Sequence, residues 1–324
     1  MSLTREVAGR VTQVDRATAL QWTRDNGVYV ALVLIVVYNL LFTPRFITLE
    51  NLGVQLVLVT RIVVVALGMA MVIGTAGIDL SVGAVMALAG ALLVQFSGLP
   101  GIAAIGVTLL VGALVGALNG VLVGLVGIQP IVATLAFLFV GRSIAQLLLV
   151  GKNPSIHDPM VLGISSGKVL GVNGLIIAAL VAVVLVGLIV RRTNFGRQLL
   201  AVGDNPRAAF LSGVPVRRTL IGVYVASGLL AAWAGVMDTA SITSANALSS
   251  GLNYELFAIT AVVVGGTPLT GGRVRVVGTV AAAILMQLLR STLIFHSATD
   301  AMSQMITAVV IIGAVYIQRG RARA

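Results

Sequence analysis

The chain has no cysteine, and its 324 residues include only 2 histidines, His157 and His296, far apart in sequence. Disulfides, iron–sulfur clusters and thiolate zinc sites are therefore excluded, and neither haem nor another metal site is expected. Charge is also scarce. Asp, Glu, Lys and Arg make up 10% of the residues, less than half the roughly 25% usual in a soluble domain. In their place 58% of residues are hydrophobic, gathered in long runs. A hydrocarbon core about 30 Å thick takes about 20 apolar residues per helix, so these runs predict an all-α integral membrane protein with no room for an extramembrane domain.

Ten apolar segments are candidate spans: Val28 to Phe42, Leu52 to Thr75, Val82 to Phe96, Ile102 to Val126, Ile131 to Val150, Val172 to Val190, Leu220 to Met237, Leu256 to Val264, Val276 to Phe295 and Met302 to Gln318. The first follows a polar leader carrying Arg5, Arg10, Arg16 and Arg24, and no small-residue cleavage site precedes Pro44, so it reads as an uncleaved span. The net charge is +11, and arginine outnumbers lysine 19 to 2. A nucleic-acid surface would gather that surplus on one face; here it lies beside the spans. Between Arg191 and Arg218 stand six arginines against Asp204 alone, a net of +5. By the positive-inside rule this loop is cytoplasmic. Arg319, Arg321 and Arg323 place the C-terminus on the same side, and an even number of crossings puts the leader there too. The chain then divides into a cytoplasmic leader (1–27), a membrane domain (28–318) containing the cytoplasmic loop 191–218, and a short cytoplasmic tail (319–324). Arg61, Arg142 and Arg290 fall inside apolar runs. Snorkelling near a span end is expected for Arg61 and Arg290, and an interior polar contact for Arg142.

Glycine supplies the packing signals. Gly112, Gly116, Gly120 and Gly124 recur every fourth residue and place a smooth ridge on one helical face, where another backbone approaches closely. Asn119, beside that ridge, is expected to bridge helices. Two Gly-rich breaks, Gly74 to Gly83 and Gly265 to Arg273, each lie between apolar arms and suggest an internal repeat of about five spans.

Chemistry-bearing motifs are few. Gly163-Ile-Ser-Ser-Gly-Lys168 imitates a phosphate loop, but it is one residue short and has Val169 where Ser or Thr would bind magnesium. Any ATP hydrolysis belongs to another chain. Asp79 stands apart from the other carboxylates, suited either to capping the helix that starts near Val82, as is Ser81, or to touching a solute. Thr134, Asn246 and neighbouring hydroxyls and amides offer donors and acceptors to a neutral, hydroxyl-bearing solute. In Gly203 to Gly213, Asn205 suits an N-cap, Pro206 the first helical position and Gly213 a helix end, which predicts a short exposed docking helix displaying Phe210 and Leu211.

Four segments give the chain a family resemblance: Gly77-Ile-Asp-Leu-Ser-Val-Gly83; Ile131-Val-Ala-Thr-Leu135; Gly203-x-Asn205-x-x-Ala208-Ala209-x-x-Ser212-Gly213; and Tyr254-Glu-Leu256 through Val263-Val-Gly-Gly-Thr267 to Gly271-Gly272. In these the chain resembles the permease subunits of bacterial ABC sugar importers of the ribose, galactose and xylose type. The resemblance is nearest to galactofuranose importer permeases, through Gly83-Ala-Val-Met-Ala87, Ile128-Gln-Pro130 and Gly141-Arg-x-x-Ala-Gln146. Pro268 and Asp238 depart from the family pattern. The resemblance implies a non-catalytic subunit of the bacterial inner membrane that moves a monosaccharide by alternating access. It needs no cofactor of its own, since ATP and magnesium bind the partner ATPase. Its implied partners are that ATPase, a periplasmic or lipoprotein sugar-binding protein, a second permease subunit, identical or related, and membrane lipid. Asp79, Ser81, Thr134, Asn246 and Glu255 are the candidate path residues. Gly203, Asn205, Ala208, Ala209, Ser212 and Gly213 are the candidate ATPase-coupling residues. The alternatives are an importer permease for another small polar solute (a polyol, nucleoside or amino acid) and an ion-coupled transporter using Asp79.

Overall fold

The computed structural model describes residues 26–44, 46, 48–297, 299, 301–302, 305–306 and 308–309. The leader arginines, the tail arginines and most of the segment Met302 to Gln318 lie outside the described residues. Among the described residues, nine apolar helices match the first nine expected spans in order. Six are long enough to cross a membrane: α2 (Leu49–Gly74), α4 with its π-helical continuation (Gly101–Val126), α5 (Pro130–Leu149), α7 (Gly174–Arg192), α10 (Val216–Ile242) and α12 (Val276–Phe295). Three are shorter: α1 (Asn26–Phe42), α3 (Val82–Gln95) and α11 (Tyr254–Val264). Short helices α6 (Pro159–Ser166), α8 (Asn194–Asp204) and α9 (Pro206–Leu211) fill the connections. Among the described residues the chain departs from helix in a small hairpin, Lys168–Val169 paired with Val172–Asn173, and in an isolated bridge between Ser155 and Ser244. Asn173 then caps α7 by accepting the Leu175 N–H at 2.9 Å, so α7 starts just after the hairpin.

Helix α2 is apolar on all sides, the pattern of a helix enclosed by others. In its most apolar stretch 83% of residues are buried, against 22% in α5 and 28% in α7. It packs on α7, α10, α11 and α12, whereas α4, α5 and α7 turn leucine and valine outward. Outward apolar faces are what a lipid environment demands. The glycine ridge of α4 packs on α10 as its spacing predicts. A Cβ added at Gly112 would lie 2.7 Å from Gly228 O, one at Gly116 2.2 Å from Tyr224 O, and one at Gly120 2.7 Å from Ile221 Cα. On the other flank a polar pin fixes α1 to α12: the Asn39 amide donates to Thr292 Oγ1 at 2.7 Å and receives the Thr43 hydroxyl at 2.8 Å.

The two Gly-rich breaks open with the same helix-ending geometry. After α2, Ala76 N–H bonds Ile73 O and Gly77 N–H bonds Val72 O; after α11, Gly266 N–H bonds Val263 O and Thr267 N–H bonds Val262 O. Both are Schellman-type caps with a left-handed residue, Ala76 at φ 61° and Gly266 at φ 92°. At one end of the bundle the loop after α5 joins the loop after α10 through Ile156 N–H to Thr243 O and Ala245 N–H to Pro154 O. Both breaks touch the Arg-rich α8–α9 connection through Gly203.

Candidate functional site

The segment between α2 and α3 is held by side chains from three other helices. Asp79 is 1% exposed. Its Oδ1 accepts the Ser81 N–H at 3.0 Å and the Ser81 hydroxyl, and its Oδ2 accepts the Ser227 hydroxyl of α10 at 2.7 Å. The Asn119 amide of α4 donates to Ser81 Oγ at 3.0 Å, the inter-helix bridge expected of it. From α5, Thr134 Oγ1 receives the Leu80 N–H at 3.0 Å while its hydroxyl donates to Pro130 O at 2.9 Å. Asp79, Ser81 and Thr134 thus meet in one buried cluster. Ser81 does not cap α3 with its side chain; its hydroxyl is turned to Asp79 instead. Asp79 behaves as a tether, because three donors converge on a carboxylate from a chain segment that has no helical partners of its own. Tyr224 Oη and Asn119 Oδ1, both buried beside this cluster, have no hydrogen-bond partner among the described residues.

A second polar group surrounds the loop 243–253, which runs from α10 to α11 and turns through left-handed Thr243, Gly251 and Asn253. Arg142, on α5, donates from Nη1 to the carbonyls of Ala247, Leu248 and Ser250 at 3.1, 3.3 and 3.3 Å, the interior contact its position suggests. Asn246 shapes the same loop, its Oδ1 accepting the N–H groups of Leu248 and Ser249, each at 3.0 Å. Arg61 does not snorkel. It is 7% exposed and its Nη1 lies 2.6 Å from Asp238 Oδ1, while Asp238 Oδ2 accepts the Ser250 hydroxyl. The pair satisfies the rule that an intramembrane charge needs a partner, and it ties α2, α10 and the loop together. Arg290 is exposed, as a snorkelling residue would be. Glu255 opens α11 half-buried, and its Oε2 has no hydrogen-bond partner among the described residues. A Cβ on Gly83 would sit 2.5 Å from that oxygen and 2.3 Å from Gly251 O. Gly83 therefore lets the α11 entry press on the α3 entry, and the two polar groups flank one junction. A cavity of about 490 Å³ opens between the end of α5 and the loop 243–253, lined by Ser143, Gln146, Lys152, Asn153, Ala247 and Leu248 among others.

The α8–α9 connection is built as its caps predict. Asn205 Oδ1 accepts the N–H groups of Arg207 and Ala208 at 3.1 and 3.0 Å, Pro206 takes the first helical position, and Gly213 at φ 81° ends the turn. Phe210 and Leu211 are 67% and 77% exposed. The six motif residues divide by side: Asn205, Ala208, Ser212 and Gly213 are exposed, whereas Gly203 and Ala209 face inward. An exposed apolar pair on a short, firmly capped helix is suited to a protein partner.

Sequence reading passed over Ser227, Tyr224 and Ser250. A lone hydroxyl in a span gives no local signal, because its meaning depends on which helix lies opposite. The Arg61–Asp238 pair did leave a trace: a cation inside one apolar run and a carboxylate one residue past the end of another, Leu220 to Met237, are candidates to pair where little water is at hand.

A family model described as "Branched-chain amino acid transport system / permease component" matches residues 51–315. Among curated proteins, the galactofuranose transporter permease of Escherichia coli strain K12 is 36% identical over 93% of this chain and 91% of its own length. The ribose import permease of Bacillus subtilis strain 168 is 36% identical over 90% of this chain and 92% of its own. The fructose import permease of Bifidobacterium longum strain NCC 2705 is 35% identical over 78% and 72%. Identities of 36, 36 and 35% favour none of the three sugars. No solved structure matches the chain. A multi-pass bundle of apolar helices, matched across most of its length by this model and by sugar import permeases, belongs to the transport-system permease family that the model describes.

Proposed function

We propose that the chain is the transmembrane subunit of an ATP-binding cassette importer that carries a monosaccharide across the bacterial inner membrane by alternating access. A separate ATPase supplies the energy, and a periplasmic or lipoprotein binding protein delivers the sugar. The observation that carries the reading is the α9 helix, capped by Asn205 and displaying Phe210 and Leu211 to solvent, on a chain akin throughout to sugar import permeases. A pair of such subunits encloses one path. Ten spans with both termini cytoplasmic fit the arrangement in which both breaks meet the Arg-rich connection while the loops after α5 and α10 join elsewhere.

On this reading Asn246 and Glu255 offer hydrogen bonds to the passing solute, and Asp79, Ser81 and Thr134 border the path by fixing the Ile78–Ser81 wall. The exposed residues Asn205, Ala208, Ser212 and Gly213 meet the ATPase, with Gly203 and Ala209 seating the helix from behind. The test is sugar uptake into proteoliposomes containing this chain, with and without its candidate ATPase and binding protein, at saturating ATP. Uptake that needs every component supports the proposal, and competition among fructose, ribose, L-arabinose and galactofuranose then identifies the sugar. Uptake by this chain alone under an ion gradient would overturn it in favour of a secondary transporter.

A further inference from the structure

Three glycine backbones meet where the α8–α9 connection touches the membrane bundle. Gly74 ends α2, Gly203 lies in the last turn of α8, and Gly272 lies in the break between α11 and α12. Gly272 N–H donates to Gly74 O at 3.0 Å. A Cβ on Gly203 would lie 1.9 Å from Gly74 O and 2.5 Å from Gly272 N, and one on Gly271 would lie 2.7 Å from Gly203 O and 2.8 Å from Ala76 N. No side chain fits between these strands of backbone. Around them α8 turns its buried face, Gly196, Leu199, Val202 and Gly203, toward the bundle, and a Cβ on Gly74 would meet Leu199 Cδ2 at 2.8 Å and Val274 Cγ2 at 2.5 Å.

We infer that Gly74, Gly203 and Gly272 form a backbone joint through which a displacement of α8–α9 moves both breaks of the bundle at once. The inference rests on the proposal that α9 receives an ATPase. Contacts between flexible side chains absorb small displacements by changing rotamers; backbone against backbone, pinned by a peptide hydrogen bond, does not. Five residues beyond Ala76 the first break reaches Ser81, with Asp79 tethered to α10 through Ser227. The second break leads directly into α12 at Val276. The joint therefore links the docking helix to the Asp79 segment and to α12 in a single step. Gly203, which the family motif grouped with ATPase-contacting residues, is a positioning residue acting through Gly74 and Gly272.

Two variants of the full chain, reconstituted with its candidate ATPase and binding protein, test the joint. In Gly203→Ala the added methyl must push α8 from Gly74. Sugar moved per ATP hydrolysed is expected to fall at least about tenfold in the assembled complex, the equivalent of about 1.4 kcal/mol of overpacking borne unequally by the two conformations. An unchanged ratio would overturn the joint. The absence of cysteine allows a second test that does not depend on tolerance at Gly203. A Cβ on Gly272 would lie 3.3 Å from Asp204 Cβ, close to disulfide range, so Asp204→Cys with Gly272→Cys can be locked by oxidation and released by reductant. Segments that move as one body keep their uptake rate when locked; uptake lost on oxidation and regained on reduction would show that they must part, and the joint fails. If the parent protein shows no ATP-dependent uptake, the importer reading fails and the joint with it, an outcome distinct from failure of either variant alone.

Discussion

Replacing Gly116 with alanine tests whether close backbone approach between α4 and α10 stabilises the bundle. A Cβ there would lie 2.2 Å from Tyr224 O, 2.8 Å from Tyr224 C and 2.9 Å from Val225 Cα, all backbone atoms that cannot rotate away. Ordinary contact requires the helices to part by about 1 Å, and a gap of that size forfeits a quarter to a half of each dispersion well along the seam. Overpacking of this kind costs about 1–3 kcal/mol, partly offset by the gain of roughly 0.8–1 kcal/mol when alanine replaces glycine in a helix. Gly106, on the same helix with nothing within 4 Å of a Cβ, is the control: alanine there takes the propensity gain alone. The variants are expected to differ by about 1–3 kcal/mol, read as separated midpoints in thermal unfolding of the detergent-solubilised protein. Gly124→Ala, whose nearest contact would be 3.2 Å, is expected to fall between them. Equal midpoints for Gly116→Ala and Gly106→Ala would refute the ridge as a packing device.

Asp238→Asn leaves Arg61 buried without its counter-charge and is expected to cost about 3–5 kcal/mol, while a double replacement, Arg61→Leu with Asp238→Leu, recovers most of it; thermal unfolding of the three variants decides, and a benign single variant would remove the pair's structural role. Asp79→Asn keeps an acceptor for the Ser81 N–H and offers an amide donor to Ser227, so unfolding midpoint and expression are expected to hold. Lost uptake at unchanged expression would then give Asp79 a role in the path beyond its tether. Ala76→Gly relieves a left-handed alanine at φ 61° and is expected to raise stability by about 1 kcal/mol, provided that the Schellman-type end of α2 forms as described; a lowered midpoint would contradict it.

Much of the fold was legible because membrane solvent makes local composition decisive. A run such as Leu175 to Val190 has one stable fate in hydrocarbon, whatever lies beside it. The α4 ridge was legible for a related reason: four glycines on one face have no use except a close neighbour. Asn205, Pro206 and Gly213 spell out α9 within eight residues of each other, so no tertiary knowledge was needed. Arg61 was misread because snorkelling is a property of one helix, whereas pairing with Asp238 depends on α2 and α10 lying side by side. Ser81 was misread as a cap for a related reason: its hydroxyl turns back to Asp79 two residues earlier and receives the Asn119 amide from α4, a partner that no local spacing reveals. The motif Gly203 to Gly213 illustrates the boundary most sharply. Its spacing marks one short element, but spacing does not say which glycine faces a partner and which faces the bundle. That assignment comes from Gly74 and Gly272, residues from two distant parts of the chain, whose carbonyl and amide leave Gly203 no room for a side chain. A motif residue fixed by lack of space on its inner side answers to the membrane bundle first, and any docking partner reaches it only through the movement of the helix that carries it.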